Sequence, residues 1–226
     1  SFLWGSGSST IFAMDDGTRN DLMIVGAGVL GKRVAYSWRA RYPKATIVGV
    51  TRHDQAPDWM KDINVQHLAR KNMVDNPTKR FSSVIFCIPP QTNYSDEAVL
   101  ATKQWDPKGQ IVFSSSAGVY SENNGGFVTA LSPVRDDEGT KSILETEDVF
   151  RVAGGTAVRF GGLFTATRGA HHFWAKKIAA DPHYVVANGN QLLNMIHYDD
   201  AAQVMIAALL RKDRTPNLFV ASDGHP

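Results

Sequence analysis

The feature that constrains the fold most is a short apolar run, Leu22–Val25, that leads directly into a glycine turn and then into a helix-forming segment. The turn has the pattern Gly26-x-Gly28-x-x-Gly31. In such a turn the first glycine allows a tight bend, the second lets a pyrophosphate approach the backbone, and the third lets the helix pack on the strand. The helix N-terminus then faces the phosphate charge. We predict a dinucleotide-binding turn, and the alternative is a glycine-rich turn in a fold that has lost its cofactor.

The predicted cofactor contacts extend beyond the glycines. Within the turn they are Gly26, Gly28, Val29, Leu30 and Gly31. At the end of the second predicted strand, Thr51 and Arg52 stand where an NAD-binding site would place an acid to hold the ribose 2′-hydroxyl. An acid would repel a 2′-phosphate, whereas a guanidinium can grip it in a fork. The sequence therefore favours NADP, with NAD as the alternative, although Arg52 could also be an ordinary solvated residue.

Strands and helices alternate along the rest of the chain. The predicted strands are 22–25, 45–50, 64–67, 83–88, 110–116, 156–160, 194–197 and 217–221. The predicted helices are 29–41, 57–61, 95–103, 136–152, 170–180 and 201–210, and 161–168 is predicted to be a loop. This alternation predicts an α/β fold with a doubly wound, mostly parallel sheet. Pro89 follows a strand and would lie at its carboxyl end, where such sheets bind ligands, so it is a further candidate cofactor contact.

Composition excludes several classes of protein. The 24 Lys and Arg residues against 22 Asp and Glu residues leave a net charge of +2, which argues against a nucleic-acid partner. No apolar run is long enough for a transmembrane segment. The single cysteine, Cys87, rules out an internal disulfide and lies in an apolar run, where we expect a buried strand residue. No spacing of His, Cys and acidic residues suggests a metal site.

The chain divides into an N-terminal extension, residues 1–20, and a single domain, residues 21–226. The extension is rich in Ser and Gly and has no clear period. The chain begins at Ser with Met14 well inside, which is compatible with a processed organelle precursor, although the arginines of a transit peptide are missing. We expect a soluble protein.

Five segments, in the same order, resemble the extended short-chain dehydrogenase/reductase superfamily, which includes nucleotide-sugar epimerases and dehydratases. They are the glycine turn, the strand ending at Pro89-Pro90, the Ser-Ser-Ser-Ala-Gly-Val-Tyr120 segment, residues 158–164 and residues 196–200. The resemblance covers about residues 20–224 and implies a Rossmann domain with a small C-terminal substrate lobe, about residues 161–200, that is incomplete here. The Pro-Pro pair and Arg168-Gly-Ala-His-His172 are most similar to an atypical branch that includes plastid proteins of plants and algae. A plastid location follows from that similarity, with the cytoplasm as the alternative.

The resemblance also implies catalytic residues that this chain only partly has. Active members use a Tyr with a Lys four residues later, because a nearby cation stabilises the phenolate, and a Ser at the tip of the fifth strand. Ser116 matches the serine and Lys141 the lysine, but the tyrosine position holds Asp137. None of the six tyrosines is followed by Lys at the fourth position. A carboxylate beside a lysine has a lowered pKa and is a poor base, so we expect the standard proton-transfer machinery to be absent.

Three functions remain open at this point. The first is an NADP-binding protein with a structural, regulatory or assembly role, for which a protein complex is a candidate partner. The second is an active NADP-dependent reductase or nucleotide-sugar epimerase/dehydratase that uses other residues, with Ser116 and Lys141 assisting. The third is an RNA-associated plastid protein, which the near-neutral charge disfavours. By the resemblance, Arg168 and the pair His171-His172 lie where substrate binds, while His197 and Asp200 are structural and Asp199 or Asp200 caps a helix.

Overall fold

The computed structural model describes residues 20–181, 183 and 192–225. The N-terminal extension predicted for 1–20 therefore lies outside the described residues except for Asn20. The strands are β1 (Leu22–Val25), β2 (Ile47–Thr51), β3 (Gln66–Ala69), β4 (Phe81–Phe86), β5 (Trp105–Ser116), β6 (Thr156–Phe160), β7 (Gly162–Phe164), β8 (Met195–His197) and β9 (Leu218–Ala221). The helices are α1 (Val29–Arg41), α2 (Asp58–Asp62), α3 (Tyr94–Lys103), α4 (Glu138–Val152), α5 (Ala170–Ala180) and α6 (Tyr198–Leu209).

Seven strands form one parallel sheet in the order β3-β2-β1-β4-β5-β6-β9. The strand order reverses between β1 and β4, which pair directly, with Val25 opposite Phe86 at the end of the register. This reversal opens a crevice at the carboxyl edge of the sheet, where open α/β sheets bind ligands. The predicted doubly wound Rossmann sheet is confirmed.

Helices cover both faces of the sheet, which explains why its central strands are apolar throughout. All four residues of β1 are at most 2% exposed. On one face α1 and α6 pack together over a core that contains Trp38 and Met205. On the other face α3 and α4 cover a core that contains Phe86, Phe113 and Phe150. The burial predicted for the apolar helix of residues 201–210 is confirmed, since Ala201, Ala202 and Met205 are fully buried against the α1 face.

Several predicted boundaries differ from the structure. The strand expected at 83–88 ends at Phe86, so Cys87 follows β4 and is half-buried, and β5 begins at Trp105 and not at residue 110. The third strand was expected at 64–67 but runs from Gln66 to Ala69, because Asn64 has a φ of 52° and cannot begin a strand. The loop expected at 161–168 contains β7, which pairs in parallel with β8. A three-residue strand paired with a segment some thirty residues away has no local signature. Together β7 and β8 make a second, two-stranded sheet beside α5, in the region assigned to the small lobe.

The start of α6 also differs from the expectation that Asp199 or Asp200 caps it. The helix begins at Tyr198, and His197 is the N-cap: its Nδ1 accepts the backbone N–H of Asp199 at 3.2 Å. Asp199 and Asp200 lie in the first turn, where carboxylates interact favourably with the helix dipole. Asp199 also accepts a hydrogen bond from Arg33 Nε at 2.6 Å, and so links α6 to α1. The structural role expected of this segment is confirmed with a different capping residue.

Among the described residues, no helix is long and apolar enough to cross a membrane.

Candidate functional site

The three glycines of the turn meet three different surroundings. Gly26 has a φ of +102°, and a Cβ there would lie 2.7 Å from the backbone of Cys87. A Cβ on Gly31 would lie 2.6 Å from the carbonyl oxygen of Gly26 and 2.8 Å from the Ile24 side chain. A Cβ on Gly28 would have nothing within 4 Å. The fold itself therefore requires Gly26 and Gly31, while the described residues leave open space above Gly28.

The amino end of α1 faces that space. Gly28 is the N-cap of α1, and its own N–H donates to Gly26 O at 2.7 Å. The backbone amides of the first helical turn, which begins at Val29, have no hydrogen-bond acceptor within the helix. No side chain caps them and the first turn holds no acidic residue. The side chain of Leu30 is 6% exposed and packs in the core, so Leu30 can contact a ligand only through its backbone, whereas Val29 is partly buried. This arrangement can accept a phosphate group.

A cleft of ≈ 320 Å³ adjoins the glycine turn. It brings together most of the cofactor contacts predicted from the sequence, which come from the glycine turn, the end of β2 and the segment after β4. The predicted contacts that line the cleft are Gly26, Gly28, Thr51, Arg52 and Pro89. The others, Val29, Leu30 and Gly31, belong to the helix start just described. The remaining lining residues are Ala27, Val50, His53, Pro57, Arg70, Cys87, Ile88 and Gln91.

Among the described residues no carboxylate lines this cleft, so its charge there is positive or neutral. Arg52 is exposed and its Nη2 lies 3.3 Å from Gln91 Oε1, a weak contact that leaves the guanidinium available. Arg70 is the second arginine of the cleft and pairs with Glu97 at 3.0 Å. Sequence reasoning missed Arg70 because it ended the third strand at residue 67. A strand ending at Ala69 would have put the next residue at the ligand-binding edge.

The hydroxyl of Thr51 is engaged within the protein. It donates to His53 O at 2.9 Å and lies 2.8 Å from His67 Nε2 on the neighbouring strand. Thr51 therefore fixes the loop after β2 and shapes the cleft wall.

Cys87 lies on the cleft wall, but its thiol points back to the glycine turn and donates to Gly26 O at 3.1 Å. Burial raises the pKa of the Cys87 thiol to about 12. A thiol in this state is a poor nucleophile at neutral pH, since the thiolate is the reactive form. Its role is to hold β4 against the turn.

Ser116 ends β5 and is half-buried. Its Oγ accepts the backbone N–H of Gly118 at 3.1 Å and so caps the short 3-10 turn that follows. This contact is the one expected of a serine at a turn. The hydroxyl hydrogen and one lone pair remain for a further partner.

Asp137 stands where the resemblance demands a tyrosine, and it is the N-cap of α4. Its Oδ1 accepts the backbone N–H of Thr140 at 2.9 Å, and its Oδ2 lies 3.4 Å from Arg135 Nε. The Thr140 hydrogen bond, with help from Arg135, lowers the pKa of Asp137. The pKa of Asp137 is therefore lowered, as expected. The causes are the helix cap and Arg135, whereas the sequence had suggested Lys141. A capping carboxylate with a lowered pKa is poorly suited to act as a general base.

Lys141 is exposed near the start of α4, and its side chain makes no hydrogen bond or ion pair with the described residues. Helix α4 packs against the turn that follows Ser116, so the two residues lie on touching elements. The structure thus brings Ser116, Asp137 and Lys141 to one region of the carboxyl edge, where the backbone N–H of Lys141 donates to Asp137 O at 2.8 Å but no side-chain contact joins the three residues.

A buried polar network lies directly behind this region and was not foreseen. Arg159 on β6 donates to both carboxylate oxygens of Glu147 on α4, at 2.8 and 2.6 Å. Ser115 Oγ donates to the same carboxylate, and the Arg159 guanidinium lies 4.8 Å from the ring centroid of Tyr120. Burial opposes the charge on Arg159, but the hydrogen bonds to Glu147 outweigh it and raise the pKa of Arg159. The network fixes α4 relative to the tip of β5.

The residues expected near a substrate lie in the small lobe. Arg168 Nε donates to the hydroxyl of Tyr198 at 3.2 Å, which ties the loop after β7 to α6. His171 packs edge-on against Phe164, with 6.1 Å between the ring centroids. Among the described residues, no group of three or more His, Cys, Asp or Glu side chains is arranged to hold a metal ion.

Comparison with known proteins gives the fold and not the sequence family. No protein-family model matches the chain, and no curated protein is detectably similar to it. Solved structures match over most of its length. A protein assigned as an NAD-dependent epimerase/dehydratase from Methylobacillus flagellatus superposes with a TM-score of 0.69 and 21% identity, over 92% of this chain and 77% of the other. The chain has the fold of the epimerase/dehydratase structures.

Two epimerases illustrate that fold. The UDP-Glc/GlcNAc 4-epimerase of Campylobacter jejuni matches with a TM-score of 0.70 and 17% identity, over 91% of this chain and 79% of the other. The UDP-glucuronic acid 4-epimerase of Bacillus cereus, solved with UDP-glucuronic acid and NAD, matches with a TM-score of 0.66 and 15% identity, over 89% and 77%. The resemblance to extended short-chain dehydrogenases/reductases is confirmed for the fold. At these identities the cofactor and the activity of the relatives do not transfer directly.

Proposed function

We propose that this protein binds a nicotinamide dinucleotide, with NADP preferred to NAD, and that it does so without the Tyr-Lys proton transfer of its structural relatives. The observation that carries the proposal is the space above Gly28, open to the uncapped amino end of α1 and continuous with a cleft that no carboxylate lines. A pyrophosphate fits the helix end, and the adenosine half of the cofactor would lie toward Arg52.

The preference for NADP is the finer part of the proposal. The UDP-glucuronic acid 4-epimerase named above was solved with NAD, so NAD is the natural alternative. In favour of NADP, Arg52 follows β2 directly, is exposed, and has only a 3.3 Å contact to Gln91. A guanidinium in this position can bind a 2′-phosphate in a bidentate manner, and no carboxylate lines the cleft to receive a 2′-hydroxyl.

A structural, regulatory or assembly role follows from the state of the catalytic positions. Asp137 caps α4 and has a lowered pKa. Among the described residues, the side chain of Lys141 contacts no titratable group whose pKa it could lower. A bound nicotinamide would supply hydride chemistry, but the protein would lack the tyrosine that moves the proton. Membership of a protein complex and a plastid location are further parts of the proposal and rest on the resemblance alone.

The second candidate is an active NADP-dependent reductase or nucleotide-sugar epimerase/dehydratase. It is favoured by one observation: Ser116 keeps its hydroxyl hydrogen free and lies on an element that contacts α4, which carries Lys141. In such an enzyme Ser116 would hold a substrate oxygen and Lys141 would reach the nicotinamide ribose.

Binding and turnover measurements test both candidates. We expect calorimetric titration to show tighter binding of NADPH than of NADH, and we expect Arg52→Glu to weaken NADPH binding while NADH binding is retained. Lys61→Glu is the matched control, because it makes the same charge change at an exposed residue outside the cleft. Equal effects of both substitutions would show that Arg52 has no specific role. Oxidation or reduction of the cofactor with a panel of sugar nucleotides, aldehydes and ketones would replace the first candidate by the second.

A further inference from the structure

We propose that Arg70, positioned by Glu97, is a second cation for the 2′-phosphate and determines the NADP preference together with Arg52. This inference rests on the proposed binding of NADP. Arg70 follows β3, and neither the glycine motif nor the residues at the end of β2 predict it as a cofactor contact.

The sheet register places the two arginines side by side. In the parallel pair β2 and β3, Thr51 is opposite Ala69. Thr51 is the last residue of β2 and Ala69 is the last residue of β3. Arg52 and Arg70 come directly after them, so both arginines lie at the carboxyl edge of the sheet. Neighbouring strands are about 4.8 Å apart, and both arginines line one cleft. Two like charges that line one cleft repel each other, and an anion bound between them would relieve that repulsion.

The guanidinium of Arg70 is fixed at one end and free at the other. Its Nε lies 3.0 Å from Glu97 Oε1, while its two Nη groups have no partner among the described residues. The ion pair lies on the Nε side of the guanidinium and leaves the Nη donors available for an anion. A planar fork with one edge anchored is the arrangement that binds phosphate with defined geometry.

Glu97 acts on the ligand through Arg70. It lies in the first turn of α3 and does not line the cleft. The pair is largely shielded, with side chains 22% and 19% exposed, whereas the neighbouring pair of Lys71 and Asp54 is 66% and 63% exposed. Among the described residues the Oε2 atom of Glu97 is buried without a hydrogen-bond partner, and Oε1 is the oxygen that pairs with Arg70. Glu97 is therefore a positioning residue, and Arg70 is the one that contacts the phosphate.

The test is the ratio of the dissociation constants of NAD⁺ and NADP⁺, measured by calorimetry on the full chain. We expect Arg70→Ala to lower this ratio about tenfold to a hundredfold, the range of a charge-assisted hydrogen bond, while NAD⁺ affinity changes about twofold or less. Arg70→Lys keeps the charge without the fork and should recover part of the preference. Lys71→Ala, which removes the neighbouring exposed cation, should leave the ratio unchanged.

Glu97→Gln separates positioning from plain electrostatics. Removing a negative charge near the site would raise NADP⁺ affinity if charge alone mattered, but we expect it to fall because Arg70 loses its anchor. The double variant Arg70→Ala/Glu97→Gln should then match Arg70→Ala, since the two residues act as one unit. A rise in NADP⁺ affinity for Glu97→Gln would overturn the positioning role.

Failure of the inference differs from failure of the proposed function. If the wild-type protein prefers NADP⁺ and Arg70→Ala keeps that preference, Arg70 is not a phosphate ligand although NADP binding stands. If Arg70→Ala weakens both cofactors equally, Arg70 only supports the structure of the cleft, and the inference fails. A wild-type ratio near one overturns the NADP preference, and with it this inference.

Discussion

Replacement of Gly28 by alanine separates ligand binding from folding at the glycine turn. A Cβ on Gly28 has no neighbour within 4 Å among the described residues, so the methyl group does not clash with its surroundings. Glycine is a better N-cap than alanine by roughly 0.5–1 kcal/mol, and the less flexible unfolded chain contributes about 0.4–1 kcal/mol in the opposite sense. We therefore expect the unfolding free energy to change by about 0.5 kcal/mol or less.

The same methyl group should abolish dinucleotide binding, because it fills the space that a pyrophosphate would occupy. At a cofactor concentration of about 100 times Kd, binding stabilises the wild-type protein by about 2.7 kcal/mol, which raises Tm by roughly 5–11 °C for a chain of this size. If the substitution weakens binding about a hundredfold, the same concentration contributes only about 0.4 kcal/mol, or about 1–2 °C.

Thermal unfolding with and without NADPH measures both quantities in one series. Gly31→Ala is the contrasting variant: its methyl group would lie 2.6 Å from Gly26 O, and overpacking of this kind costs about 1–3 kcal/mol, less up to about 1 kcal/mol gained in helix propensity. It should lower Tm without ligand, whereas Gly28→Ala should not. A Gly28→Ala protein that keeps the full cofactor-induced shift would refute the assignment of the pyrophosphate to this turn.

Three further predictions concern single groups. Replacing Arg159 by Met should lower the free energy of unfolding in urea by about 3–5 kcal/mol, because the buried carboxylate of Glu147 loses its cation. Adding Glu147→Leu to this variant removes the unpaired charge and should restore most of that free energy. Asp137→Ala should lower Tm at neutral pH. Because the pKa of Asp137 is lowered in the folded protein, its ionised carboxylate adds to the free energy of unfolding above the pKa of free aspartate, about 3.9, and this stabilisation is lost as the pH falls below that value. Asp137→Asn still caps the helix but does not titrate, so its stability should not show this loss at low pH. Burial raises the pKa of the Cys87 thiol to about 12, so iodoacetamide should label it much more slowly in the folded protein than after unfolding, and equal labelling rates would contradict the raised pKa.

Local patterns were reliable where one segment sufficed to define an element. The span of α1, residues 29–41, was predicted to the residue, because the glycine turn marks its start and Pro43 follows its end. The boundaries of β3 were missed because Asn64 adopts a positive φ that its neighbours do not reveal. The strand β7 was missed because it exists only through its pairing with β8.

The candidate site divides in the same way. Arg52 could be predicted because its distance from the glycine turn is set by one strand-helix-strand unit. Arg70 could not, since its place beside Arg52 depends on the register between β2 and β3, and its orientation depends on Glu97 from α3. The capping role of Asp137 likewise required the observed start of α4.

The sequence by itself determined the class of fold, the glycine turn and the lack of a Tyr-x-x-x-Lys motif. Each of these is carried by residues close together in the chain, whose steric and chemical requirements are local. Only the tertiary structure decided that no carboxylate lines the cleft, that Gly28 alone of the three turn glycines leaves open space, and that Glu147 and Arg159 join α4 to the sheet. Those properties arise from side chains far apart in sequence, and their distances are set by sheet register and helix packing.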